Sequence, residues 1–179
     1  MEEGVKPLKQ DTTKEQEEKL EGSTNDKGMP LLGSAGIYAF ILETFHAKEQ
    51  DIRSYSPLSL AYIGDGVYEL VIRSLVLGKG NTSPNKLHRQ TSQMVKAKAQ
   101  SAMMEHLHSH LTEEEAGVYR RGRNANSATM AKNASMSEYR RATGFEALMG
   151  YLYLKNELER MLKLIEIGLK GEGFTVSKK

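Results

Sequence analysis

Two acids lie in segments that otherwise read as carbon-rich helices. Asp65 sits in SPLSLAYIGDGVYELVIRSLVL and Glu146 in RRATGFEALMGYLYL. At about 100° per residue, Asp65 shares a stripe with Leu58, Ala61, Ile72 and Val76. Glu146 shares one with Ala142, Met149, Gly150 and Tyr153. A charge buried without a partner is strongly disfavoured. Either each acid pairs with a Lys or Arg, or the two share a cation, and the second reading makes the chain a candidate metal-dependent enzyme. Gly64 and Gly66 flank Asp65, each at a cost of about 1 kcal/mol to the helix. Stripping side chains there suits close approach by a ligand, a backbone or a metal.

Glu69 follows Asp65 by one turn and repels it. It either pairs with Arg73 or orients the metal ligands. Glu146 has the small residues Gly144 and Ala147 beside it. The two acids stand 81 residues apart (146 − 65), so only tertiary packing can unite them. Oxygen ligands in a chain without cysteine suit Mg²⁺, with Mn²⁺ as a substitute. No disulfide can form, and no zinc site is expected from the five His. Such a divalent ion activates water and stabilises phosphate charge.

Basic residues gather in two places. Lys86, Arg89, Lys96 and Lys98 lie with His88 on or near one helix; Arg120, Arg121, Arg123, Lys132, Arg140 and Arg141 bracket a loop. A solvated face is the plain reading for any one of them, and phosphate contact is the reading for the two clusters together. Asn124, Asn126 and Ser127 add hydrogen-bonding groups for sugar or phosphate. Aromatic residues are not interleaved, which disfavours stacking on single strands and points to a duplex recognised by shape.

With 179 residues, 39% apolar and 27% charged, the chain fits one soluble domain with a tail. Residues 1–30 carry five Lys against eight Asp or Glu, a net of −3, which leaves +5 for the remainder of a chain at +2. A mildly basic body suits an anionic partner. The acidic N-terminus is the reverse of an export signal. Residues 58–77 match a membrane span in length but contain Asp65, Glu69 and Arg73, so they read as a core helix. No membrane association is expected, and a cytoplasmic location follows.

The fold class reads as all-α, with no strand or hairpin pattern. Residues 1–33 are expected to be a disordered acidic tail, 34–50 an additional helix near 37–48, 51–171 the principal domain and 172–179 a C-terminal tail. Ser56-Pro57 opens a long helix that Gly78-Lys-Gly80 closes. Apolar nearly all round, it is expected at the centre of the core. Ser83-Pro84 opens one helix to about His108. Thr112-Glu-Glu-Glu115 and Ser135-Met-Ser-Glu138 are capping boxes, with a loop at 122–135 between the helices they start. A last amphipathic helix covers about 157–169.

LAYIGDGVYE resembles the signature helix of the ribonuclease III family, and ATGFEALMGYLYL its second catalytic helix. With YRRGRNANSATMAKNAS between them, the chain most resembles Mini-ribonuclease III, the compact form without a separate double-stranded-RNA-binding domain. That resemblance covers residues 57 to about 169. It implies an all-α endonuclease domain acting as a homodimer, with Tyr62 at the dimer interface. It also implies Asp65 and Glu146 as catalytic metal ligands, with cleavage of double-stranded RNA to 5′-phosphate and 3′-hydroxyl ends. The family's usual task is trimming precursor large-subunit (23S) ribosomal RNA, with a ribosomal protein assisting. Full-length ribonuclease III has further acids where this chain has Ala61 and Thr143, so one ion held by two carboxylates and waters is expected. Asn126 stands where the compact form has a Lys. A non-catalytic RNA-binding or ribosome-assembly protein on the same fold is the competing reading, and a helical interaction protein without RNA is a third.

Overall fold

A computed structural model describes residues 36–126 and 135–174, and the chain parts into two units, Met1–Glu49 and Gln50–Lys179. The tail expected at 1–33 lies outside the described residues. In the first unit α1 spans Gly36–Thr44, shorter than the helix expected at 37–48. His46 turns left-handed (φ 52°), and the amide of Ala47 donates back to the carbonyl of Leu42 at 2.8 Å. That closure satisfies a carbonyl at the helix end and stops the helix early.

The second unit is built of α-helices and two short 3₁₀ turns, Ile52–Ser54 and His108–His110, with no strand among the described residues. α2 spans Pro57–Gly78, and the hydroxyl of Ser56 accepts the amide of Ser59 at 3.0 Å as its N-cap. α3 spans Pro84–Val95 and α4 Ala97–Leu107. α5 spans Glu113–Asn124, α6 Met136–Leu154 and α7 Leu158–Gly171. Both expected capping boxes form, Thr112 with Glu115 and Ser135 with Glu138.

The single helix expected from Ser83 to His108 is two helices. Lys96 adopts an extended conformation (ψ 149°) between α3 and α4. The break frees carbonyls that a helix would bond, and the buried Tyr68 hydroxyl donates to one of them, Met94, at 3.0 Å. The Tyr68 ring meets Phe145 edge-on at 4.9 Å, which fixes the tyrosine against α6.

The centre of the core is α6 rather than α2. From Ala142 to Tyr153 α6 is buried at every residue except Glu146. α2 packs on it most extensively, followed by α5 and α4. α2 buries only Leu60, Ala61, Gly64, Tyr68, Ile72 and Val76. Tyr62, Leu70 and Leu77 face outward, 84%, 63% and 59% exposed, while Ile63, Val67, Val71 and Leu75 are half-buried. An apolar circumference in sequence therefore marks α2 as two-faced: one face covers α6 and the other is an exposed stripe.

Candidate active site

The site is set by a helix crossing without side chains. A Cβ on Gly64 of α2 would lie 1.8 Å from the carbonyl oxygen of Glu146 and 2.6 Å from the amide nitrogen of Gly150. A Cβ on Gly150 would lie 2.0 Å from the carbonyl oxygen of Leu60. The two backbones touch, and only glycine permits that approach. Asp65 follows Gly64 directly, and the atom Gly64 meets belongs to Glu146, so the crossing delivers both acids to one place. Their charges interact. Burial, then the charge of Asp65, pushes the Glu146 carboxyl up to about 8, while the Gln100 amide beside it works the other way. Asp65 is exposed as a residue, against the expectation of a place on a buried stripe. Protein nevertheless removes enough water from its carboxyl to raise it above the usual range, and Glu69 adds repulsion.

Neither acid has a Lys or Arg partner among the described residues. No third His, Cys, Asp or Glu joins them in a metal-binding group there. Glu69 does have a partner: Nε and Nη2 of Arg73 both donate to its Oε1, at 3.1 and 2.6 Å. Ala61 and Thr143 are buried, and the Thr143 hydroxyl donates to the Tyr139 carbonyl at 3.0 Å. Both positions have become packing positions.

Sequence reasoning missed Gln100. It is fully buried on α4, and neither its Oε1 nor its Nε2 closes a hydrogen bond. The available signal was a polar residue on the buried face formed by Ala99, Met103, Met104 and Leu107. Sequence reasoning also took the five His to form no HxH cluster, although the run His106-Leu-His-Ser-His110 alternates as such a metal motif does. The structure disperses it: His106 faces Glu172 at 2.9 Å, and the His108 ring meets Tyr119 edge-on at 5.4 Å.

A second close crossing brings basic groups toward the acids. A Cβ on Gly122 of α5 would lie 2.7 Å from that of Ala147, and one on Gly144 would lie 2.7 Å from the Tyr119 ring. The end of α5, with Arg120, Arg121, Arg123 and Asn124 exposed, is thereby held to the turn of α6 that carries Glu146. Asn126 just beyond is exposed; Lys132 lies outside the described residues. Lys86 and Arg89 are exposed on α3, and Lys96 is exposed at the break. None of these six Lys and Arg makes an ion pair among the described residues. Arg141, by contrast, pairs with Glu105, and Arg160 with Glu115. The described residues therefore separate arginines engaged in ion pairs from cations left facing solvent.

The family described as Ribonuclease III domain matches residues 58–157. A Mini-ribonuclease 3 of Clostridium tetani is 51% identical over 129 residues, 72% of this chain and 84% of that protein. One from Enterococcus faecalis is 47% identical, covering 72% of this chain and 99% of that protein. A crystal structure of a Fusobacterium nucleatum protein superposes with a TM-score of 0.62 at 36% identity, over 69% of this chain and 99% of the other. No helix among the described residues is long and apolar enough to cross a membrane.

Proposed function

Taking as premise that the chain belongs to the ribonuclease III family and is an endoribonuclease, we propose that it cuts double-stranded RNA at a single Mg²⁺ site between Asp65 and Glu146. The observation that carries this reading is the glycine crossing, which sets two carboxylates against each other with no basic partner among the described residues. Two hard oxygen donors that repel each other fit Mg²⁺ or Mn²⁺, which accept few protein ligands and retain waters. When bound, the ion activates water and neutralises charge on the scissile phosphate.

The chain's own residues do the rest. Asp65 and Glu146 hold the ion. Glu69, tied to Arg73, limits the positions open to Asp65 by repulsion. Lys86, Arg89, Lys96, Arg120, Arg121, Arg123 and Lys132 grip backbone phosphates, and Asn124 and Asn126 bond sugar or phosphate oxygens. As the water oxygen bonds to phosphorus, the bond to the 3′ oxygen breaks. Cleavage leaves 5′-phosphate and 3′-hydroxyl ends. Two protomers associate through the exposed stripe of α2, with Tyr62 in the interface, so that each cuts one strand. Residues 51–171 form the catalytic domain, and 34–50 are an added segment that contains α1. The natural substrate is precursor 23S ribosomal RNA, with a ribosomal protein assisting.

The test is Asp65→Asn. The variant is expected to fold and to shift duplex RNA in a gel, yet not to cut it with Mg²⁺ present. Full cleavage by a folded Asp65→Asn protein removes the assignment.

A further inference from the structure

Gln100 is the one residue among those described whose buried side-chain polar atoms lack partners. Leaving a buried donor or acceptor unmet is costly, and an apolar side chain of similar volume would be expected to serve the core better. A buried polar group retained in this way calls for a specific reason.

Its surroundings supply one. α4 packs directly on α6. The break at Lys96 starts α4 anew, and Gln100 lies in its first turns, where its backbone N–H donates to the Lys96 carbonyl at 3.1 Å. Met103 of the same helix is held by the Tyr68 hydroxyl at 3.2 Å from its sulfur. α4 is therefore fixed on both sides of Gln100. Its side-chain amide, buried and without a hydrogen bond, lies beside the Glu146 carboxyl. A primary amide has two N–H donors, and an ionised carboxylate only accepts. The pair is chemically matched.

Building on the metal-site reading above, we propose that Gln100 is a positioning residue for Glu146. Its amide donates to one carboxylate oxygen and thereby turns the other toward Asp65 and the ion. Ligand-orienting groups of this kind typically change metal affinity or activity about 10–100-fold when removed. Gln100 touches neither the ion nor the RNA. It selects which Glu146 rotamer meets them.

The experiment uses the full chain and Mn²⁺ alone, followed by calorimetric titration without RNA. Titrations of Gln100→Met are run at a temperature where circular dichroism shows it and the parent fully folded. The expected result is a Mn²⁺ affinity about 10–100-fold weaker, with a melting temperature in chelator equal to or above the parent's. In cleavage assays kcat falls while KM for duplex RNA holds. Gln100→Leu is the second variant should the methionine one fail to fold. Parental Mn²⁺ affinity in a folded Gln100 variant overturns the proposal, as does an unchanged kcat. Asp65→Asn, titrated in parallel, separates the two readings. If it too binds Mn²⁺ like the parent, the metal site itself fails. If it loses Mn²⁺ and the Gln100 variant does not, only the role of Gln100 fails.

Discussion

Adding one methyl group at Gly64 should disable the enzyme from inside the fold. In Gly64→Ala the new Cβ would sit 1.8 Å from the Glu146 carbonyl oxygen, with the Glu146 carbonyl carbon at 2.8 Å and the Gly150 nitrogen at 2.6 Å. All three are backbone atoms, so no side chain can swing away. Restoring the 3.0 Å that Cβ contacts require displaces the helices by 1.2 Å along that line. Overpacking of this kind costs about 1–3 kcal/mol, a fall of about 2–12 °C in melting temperature for a chain of this size. The site suffers more than the fold. Misplacement of reacting groups by ~1 Å can lower rate about 100-fold, and the displacement lies between Asp65 and Glu146. Thermal melts and single-turnover cleavage of a labelled RNA duplex read both effects. Gly66→Ala is the control for the melts: nothing lies within 4 Å of its Cβ, so stability should hold or rise by up to about 1 kcal/mol. A Gly64→Ala protein that melts and cuts like the parent would refute the reasoning.

Other perturbations test other parts of the molecule. The Glu146 carboxyl, pushed up to about 8 by burial and by Asp65, binds a proton in the folded chain that the unfolded chain releases nearer the ordinary glutamate value of 4.5. Its contribution to stability must therefore fall as pH rises from the unfolded value through the folded one. In chelator the melting temperature should drop over that window, and Glu146→Gln should flatten the drop; an equal slope in both proteins counts against it. Arg160 donates to both oxygens of the buried Glu115, at 2.8 Å each, and to the His110 carbonyl at 2.6 Å. Arg160→Ala leaves that carboxylate with the Thr112 amide but no cation and should cost about 2–3 kcal/mol by chemical denaturation, the usual loss discounted for partial exposure of Arg160. Arg123→Ala should reduce the salt dependence of duplex binding by about one unit of log–log slope, measured by anisotropy across a KCl series. Arg141→Ala, already paired with Glu105, should leave that slope unchanged.

The parts of this fold written in local chemistry were legible. Serine and threonine caps with a glutamate three residues on marked the starts of α5 and α6, because capping is a property of four consecutive residues. The all-α class and the two acids on α2 and α6 were equally readable. The break at Lys96 was not, since QMVKAKAQ contains neither glycine nor proline. The Met94 carbonyl that it frees is met by the Tyr68 hydroxyl, 26 residues away, which no local pattern shows. The centre of the core was misassigned to α2 because periodicity reports that a face is apolar and not what covers it. Gln100 was overlooked for a related reason: a buried glutamine announces itself only when its neighbours are known. The role of Gly64 was half legible, its closeness to something being evident and its partner, Gly150, not.

The contact between Gly64 and Glu146 also sets a clock during synthesis. Asp65 leaves the translating ribosome 81 positions before Glu146, about 4–16 s earlier at ordinary elongation rates. Throughout that interval α2 has no α6 to lie upon. An unfinished copy holds one of the two acids proposed to grip the ion, so on that reading nuclease activity waits until α6 has emerged and docked.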